Sequence, residues 1–395
     1  MKVCFETFGC RLNKAEALQM EAEYIAKGWE LTDDHGKADL FVVRGCSVTA
    51  RAQKDCERTI SHLRRRYPTV PVRICGCLDT RQMHMPHVAA PDLTGDAPVP
   101  VRTARAYLKV QDGCSGKCTF CIVPHFRGGP SSVPFQEAMD RARRFLEAGY
   151  REIVVTGCSL ALYASGGKRL PELVAHLAEL AGDRARIRLG SIEPGACALE
   201  TVHAMASNAG VCRFLHIPVQ SGSDRILAAM RRSYSVDDVE NLASEAIRLM
   251  PGLGLGCDLM TGFPGESELD FRATKGLLKR IPFTNAHVFP YSERPGTVAA
   301  GLPGRIDRTT RSMRAHRLAE LAAAKRLAFA KRFIGKTVEI IAESDRKCEG
   351  WTGEYLRCGA VGSAERRSLV KMFVIKVHHD AALEGRIVTT RRESA

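Results

Sequence analysis

The sequence predicts an α/β protein in three parts: an N-terminal parallel α/β domain over residues 1–100, a central partial (βα)6 barrel over 101–333, and a small all-β domain over 334–395. Three observations carry this reading. Strand-like and helical segments alternate through the first hundred residues, the order a parallel sheet requires. Six short apolar runs separated by amphipathic segments follow, and beyond Ile334 the pattern changes to short β-like runs divided by polar turns. A chain of 395 residues is too long for one ordinary core, and its apolar fraction of 45% and charged fraction of 26% are those of a globular protein.

The first domain reads as strands KVCFETF (2–8), ADLFVVR (38–44) and VPVRICG (70–76). Asn13 reads as the cap of the first helix with Glu16 three residues on, and a second helix spans Thr49 to Tyr67, ending before Pro68. Residues 79–105 gain Pro, His and Gly and lose periodicity, as a linker does. The barrel strands are YLKVQ, EIVVTG, RIRLGS, RFLHIPV, LGLGCDLM and AHVFPY. Chemistry in such folds sits at the carboxyl ends of the strands, here Thr156 and Gly157, Ser191 and Glu193, Gln220 and Ser221, Thr261 and Gly262. Residues 303–333 carry Ala, Leu and Arg at helical spacing. VEIIAE, TGEYLRC, SLVKMFVIKV and EGRIVTT then read as strands of a small barrel.

Cys114, Cys118 and Cys121 form C-x3-C-x2-C directly after the first barrel strand. Three thiolates hold three irons of a 4Fe-4S cluster and leave the fourth open to a small chelating ligand. S-adenosylmethionine chelates through its amino and carboxylate groups, so these cysteines point to radical chemistry driven by that cofactor. A zinc site is the weaker reading, because paired CxxC or a histidine at matching spacing is missing and His125 follows Cys121 too closely. Phe120 suits a wall against an adenine ring; Glu193 and Gln220 face the cofactor pocket or else brace the barrel rim.

Cys10, Cys46 and Cys77 each fall just past the carboxyl end of one of the three parallel strands, where loops of an open α/β sheet converge. Three converging thiolates suit a second cluster, and equally suit three buried cysteines in a chain that has fifteen. Cys4, Cys56, Cys75, Cys197, Cys212, Cys257, Cys348 and Cys358 read as core, while Cys158, after Gly157, sits near the substrate. The formal charge of +14 predicts attraction to a polyanion. Arg231 and Arg232, Arg366 and Arg367, and Arg391 and Arg392 read as a discontinuous basic surface for phosphates. Arg64, Arg65 and Arg66 read as a solvated helix end, while Lys371 and Phe373 on one tail strand offer a cation and a stacking ring to a splayed base or else mix surface and core, with core the favoured reading of Phe373. The opening MKVCFETFGC has no basic stretch followed by an apolar one, and no apolar run is long enough to cross a bilayer, so a cytoplasmic protein is expected.

These segments resemble the radical S-adenosylmethionine methylthiotransferases along essentially the whole chain. ETFGCRLNKAE, SVTARA and ICGCLDTRQ are similar to the family's three N-terminal cysteine loops, and KVQDGCSGKCTFCIVPHFRGG to its radical motif. IPVQSGSDRILAAMRR, TGFPGESELDF and HVFPYSERPGT resemble its later barrel segments, and GWTGEYLRC its RNA-carrying β-domain, called TRAM. The resemblance implies a radical-SAM barrel, a TRAM-like tail and two [4Fe-4S] clusters, one held by Cys114, Cys118 and Cys121 and one by Cys10, Cys46 and Cys77 rather than Cys75. Gly157, Ser191, Glu193, Gln220 and Phe120 are then the candidate S-adenosylmethionine contacts.

SIEP, TG at 156 and 157, and YSERPGT look most like the branch that acts on N6-threonylcarbamoyladenosine 37 of tRNA. Sister branches act on N6-isopentenyladenosine 37 or on a ribosomal-protein aspartate. The implied reaction replaces hydrogen at C2 of the adenine with a methylthio group, with tRNA as substrate partner and a reductase protein as electron source. Arg44 and Gly45 before Cys46, CSLALYASGG and the linker APDLTGDAP depart from the family pattern.

Overall fold

The computed structural model describes residues 1–78, 99–195 and 197–388. The first sheet is built from β1 (Lys2–Thr7), β2 (Glu30–Leu31), β3 (Leu40–Cys46) and β4 (Val72–Cys77), in the order β2-β1-β3-β4 and parallel throughout. Every residue of β3 is buried, as a central parallel strand covered on both faces must be. Helix α1 (Arg11–Ala26) covers one face through Met20 and Tyr24, and α2 (Ala50–Arg66) covers the other through Cys56, Ile60 and Leu63. β2 is a fourth strand that sequence reading passed over, because two residues carry no periodicity.

Helix α1 begins at Arg11 with Cys10 as its N-cap, so Asn13 is not the cap. Its side chain is buried and donates to the carbonyls of Phe8 at 2.7 Å and Gly45 at 2.9 Å, which fixes the loop before the helix to the end of β3.

The central region runs β5 (Ala106–Lys109), β6 (Gln111–Asp112), α3 (Val123–Arg127), β7 (Ser131–Ser132), α4 (Phe135–Glu147), β8 (Glu152–Thr156), β9 (Ala164–Ser165), β10 (Lys168–Arg169), α5 (Leu170–Ala181), β11 (Arg186–Leu189), α6 (Ala198–Ser207), β12 (Phe214–Gln220), α7 (Asp224–Ala229), α8 (Val236–Leu249), β13 (Gly254–Thr261), α9 (Glu268–Arg280) and β14 (Asn285–Pro290). Strands β5, β8 and β11 form one parallel set and β12, β13 and β14 another. Parallel bridges Ile187–Val211 and Ser191–His216 join the sets into an open arc of six strands, each on one of the six apolar runs. Ile153, Val155, Ile187, Leu189, Leu215 and Ile217 face outward into the core with the surrounding helices. The opposite face of the arc begins against α1, where Ala15 and Leu18 meet Tyr107 and Val154.

Helix α10 (Arg308–Lys331) leads to β15 (Thr337–Ala342), β16 (Cys348–Thr352), β17 (Arg357–Ala360), β18 (Leu369–Val377) and β19 (Leu383–Ile387), which close into a barrel in the order β15-β16-β17-β19-β18. TGEYLRC is therefore a turn between two strands rather than a strand, and Tyr355 at its tip has φ of +68°. That turn enters the amino-terminal end of the arc, where Tyr355 stacks on Phe214 and on Trp351 at 4.7 Å each. Phe373 lies on the outer face of β18 beside exposed Lys371, with Arg386 over its ring at 5.2 Å, because the inward positions of that strand are Met372 and Val374. The core reading of Phe373 is overturned by this alternation.

Candidate functional site

The C-x3-C-x2-C loop leaves the arc through a two-stranded clip, in which β6 pairs antiparallel with β7. Gly113 (φ +63°) begins the crossing, and a Cβ there would lie 1.9 Å from the carbonyl oxygen of Gly129. Only glycine permits that approach. The amide of Cys114 donates to Gly128 and that of Cys121 to Cys118, both at 3.1 Å, while Thr119 ties the loop to α7 through the Ala229 and Met230 carbonyls at 3.0 Å. A Cβ on Gly116 would lie 3.1 Å from Cys114 Sγ and 3.7 Å from Cys118 Sγ, so the loop wraps around a space bounded by its own thiols. All three cysteines are half-buried. Burial pushes the Cys121 thiol up to about 11.

Arg232 donates from Nη1 to Cys118 Sγ at 3.1 Å and from Nη2 to Glu193 at 2.7 Å, with its guanidinium over the Tyr234 ring at 4.7 Å. This corrects the reading of Arg232 as part of a phosphate-binding surface. Arg366 and Arg367 are likewise engaged inside the chain, with the Arg102 carbonyl and with the Ala148 carbonyl respectively. Arg231 is exposed, as are Arg64, Arg65 and Arg66, while Arg391 and Arg392 lie outside the described residues.

Cys46 and Cys77 are the last residues of β3 and β4 and stand directly opposite one another in the register. Cys10 caps α1 beside them: a Cβ on Gly9 (φ +92°) would lie 3.0 Å from Cys46 Sγ. Burial pushes the Cys77 thiol up to about 11, against the pull of Arg127. The kink at Gly76 (φ +87°) separates Cys77 from Cys75, which is buried against Met20 and Val43. Cys4, Cys56, Cys197, Cys212, Cys257, Cys348 and Cys358 are all buried too.

A buried polar network lies between the two triads. Arg127, six residues after Cys121, donates from Nε to Cys77 Sγ at 2.8 Å. Its Nη1 donates to Glu16 at 2.8 Å and Asp112 at 3.0 Å, and its Nη2 to Glu16 at 3.0 Å and Asn13 at 3.1 Å. Lys109 joins Glu16 at 2.7 Å and Asp112 at 2.5 Å. Arg44, a departure from the family pattern, pairs with Glu16 in a fully buried ion pair. Burial would raise Asp112, but Arg127 and Lys109 bring it down to about 2. Cys158 donates to Asp112 Oδ1 at 3.4 Å, and burial holds its thiol far above the ordinary range.

The strand-end candidates gather at the same mouth. Gly157 backs onto Gln111, where a Cβ would meet the Gln111 Cβ at 2.9 Å. Glu193 reaches the cysteine loop through Arg232, and exposed Ser191 forms the bridge to His216. Gln220 sits at φ +66° with a buried Oε1 that has no partner among the described residues. Phe120 packs with Ile226, Met230, Met260, Phe263 and Tyr291, which fixes its ring beside Cys121. In the sequence Arg127 and Asp112 carry no site signal and Glu16 only a capping one, since no spacing rule links residues 16, 112 and 127.

The model of the Radical SAM superfamily matches residues 108–278, and that of the uncharacterized protein family UPF0004 matches residues 2–92. The threonylcarbamoyladenosine tRNA methylthiotransferase MtaB of Thermotoga maritima is 30% identical over 86% of each chain. The tRNA-2-methylthio-N(6)-dimethylallyladenosine synthase of Wolinella succinogenes is 31% identical over 89% of this chain and 90% of its own.

The chain belongs to the radical S-adenosylmethionine methylthiotransferases. MtaB of Bacillus subtilis, at 28% identity, matches 95% of this methylthiotransferase and 94% of its own length. Among solved structures, the radical S-adenosylmethionine methyltransferase TsrM of Kitasatospora setae superposes with a TM-score of 0.55 at 15% identity, covering 76% of this chain and 75% of its own, a likeness of fold. The chain is thus a radical enzyme of sulfur-group transfer.

Proposed function

We propose that this methylthiotransferase converts N6-threonylcarbamoyladenosine at position 37 of tRNA to its 2-methylthio derivative. The observation that carries the methylthiolation reading is the approach of the two cysteine triads, with Arg127, six residues after Cys121, bonded to Cys77, while SIEP, Thr156-Gly157 and YSERPGT favour the threonylcarbamoyladenosine branch. Cys114, Cys118 and Cys121 would hold a [4Fe-4S] cluster that binds S-adenosylmethionine, and Cys10, Cys46 and Cys77 would hold a second. The donor sets suit clusters better than a single zinc ion, since three thiolates without a fourth protein ligand match a cluster with one exchangeable iron. When bound, these groups supply an adenosyl radical at the first site and sulfur at the second.

The chain's own residues position the reactants. Glu193, held by Arg232, and Gln220 Oε1, which has no partner among the described residues, offer acceptors to the amino and ribose groups of S-adenosylmethionine, with Phe120, Gly157 and Ser191 completing its pocket. Lys371, Phe373 and Arg386 present two cations and a ring on the outer face of the tail, a combination that holds a phosphate and stacks an unpaired base. Residues 1–100, 101–333 and 334–395 then divide sulfur delivery, radical formation and tRNA holding among three domains. No helix among the described residues is long and apolar enough to cross a membrane, and we place the enzyme in the cytoplasm with its tRNA and a reductase protein.

Nucleoside mass spectrometry of tRNA tests this. Cells lacking the gene should lose 2-methylthio-N6-threonylcarbamoyladenosine and regain it on complementation. Loss of the 2-methylthio-isopentenyl nucleoside instead would move the substrate to that of the Wolinella relative. An unchanged profile would sink the tRNA reading.

A further inference from the structure

We infer that Arg127 is a positioning residue that ties the two cysteine triads together and sets the electronic character of the auxiliary cluster through Cys77. The inference rests on the reading of Cys10, Cys46 and Cys77 as cluster ligands. Each of the five guanidinium N–H groups has its own acceptor: Cys77 Sγ, two oxygens of Glu16, Asp112 Oδ1 and Asn13 Oδ1. The side chain is 8% exposed. A guanidinium stays charged under all conditions the protein meets, so the N–H···S bond to Cys77 carries a permanent positive charge.

Charge bookkeeping points the same way. The hydrogen-bonded set contains three cations, Arg44, Lys109 and Arg127, against two carboxylates, Glu16 and Asp112, which leaves one positive charge in excess. A buried surplus of that kind needs an anion, and Cys77 is the acceptor to which it is directed. Thiolate ligation at Cys77 supplies the missing negative charge. The hydrogen bond then withdraws electron density from the ligand sulfur, which makes the cluster easier to reduce. Asp112, itself held by Lys109 at the end of β5, accepts from the same guanidinium, and Arg127 belongs to the segment that follows Cys121. One rigid planar group thereby joins the segment after Cys121 to Cys77 and to Asn13 and Glu16 of α1.

The test uses two full-length backgrounds, each keeping one triad: Cys114, Cys118 and Cys121 all replaced by Ala, or Cys10, Cys46 and Cys77 all replaced by Ala. Arg127→Gln and Arg127→Lys are placed in each, iron is counted, and the cluster's midpoint potential is read by electron paramagnetic resonance during redox titration. In the auxiliary-only background, Arg127→Gln should shift the potential to more negative values, and Arg127→Lys, which keeps the charge, should shift it less. In the radical-only background both potentials should stay at the parent value. Loss of iron confined to the auxiliary-only Arg127→Gln protein and rescued by Arg127→Lys supports the same assignment. An unmoved potential at full iron content, or an equal shift in both backgrounds, overturns it. Absence of any cluster in the auxiliary-only parent overturns the two-cluster reading itself, and this inference with it.

Discussion

Glu152 is a carboxylate with no exposed surface, and its stability rests on two guanidinium groups. Arg186 Nε donates to it at 2.7 Å and Arg188 Nε at 2.8 Å, and both arginines also donate to carbonyls of the tail barrel. Burial would raise its pKa, but Arg188 and Arg186 hold it well below the usual carboxylate range. Replacing it by Gln strands two buried cations, at an expected cost of about 3–5 kcal/mol in unfolding free energy. The stabilisation is present above the unfolded carboxylate pKa of about 4.3 and is lost as pH falls through the lower folded value. Chemical denaturation of wild type and Glu152→Gln should therefore differ most near neutral pH and converge in acid. A gap that stays constant would refute the ion-pair account.

Arg232 makes the other residue-scale prediction. Arg232→Ala removes the donor to Cys118 and frees Glu193, and groups that orient metal ligands typically command roughly tenfold to hundredfold effects. Formation of 5'-deoxyadenosine should fall by about that factor while iron bound by the auxiliary triad is retained. Wild-type turnover in the variant would show that the contact is incidental.

At the scale of elements, the cysteine loop depends on how β6 and β7 are clipped together. Gly113→Ala places a methyl group on the Gly129 carbonyl and forces a side chain into the left-handed region, a strain of about 1–3 kcal/mol concentrated beside Cys114. The loop should open, and reconstituted iron should drop to that of protein lacking Cys114, Cys118 and Cys121. Undiminished iron in Gly113→Ala would mean that the clip does not position the loop. The strand-end placement of the other triad was legible because each strand's apolar run stops where its side chains leave the core. Where α1 begins was not: Asn13 and Glu16 have capping spacing, yet tertiary partners take both side chains, Phe8 and Gly45 for one, Arg127, Arg44 and Lys109 for the other.

At the scale of the molecule, the tail barrel docks by inserting one ring. Tyr355 lies between Phe214 and Trp351, with Arg11 at 5.4 Å and Arg188 at 5.2 Å from its ring centroid. Arg11 follows Cys10 and also donates to the Leu189 carbonyl at 3.2 Å, so one side chain touches the first domain, the arc and the tail. Two aromatic contacts of this kind contribute about 1–3 kcal/mol together. Tyr355→Ala should loosen the tail without unfolding it, seen as faster protease cleavage between α10 and β15 and a separate thermal transition. A single unchanged transition would place the docking energy elsewhere.

The radical cysteine loop and the alternation of strands and helices were legible in the chain alone. C-x3-C-x2-C is a local spacing, alternation of strands and helices is a local period, and a cysteine at the end of an apolar run is a local coincidence of two signals. Each survives in one dimension because the physics behind it acts between near neighbours. Only the tertiary structure decided the partners. Arg127 meets Cys77 across 50 positions, Arg232 meets Cys118 across 114, and Arg366 and Arg367 turn inward to carbonyls more than 200 residues away. A basic residue looks the same in sequence whether it faces a phosphate, a thiolate or a carbonyl. Burial and long-range hydrogen bonding distinguish these fates, and neither has a period that the chain can display.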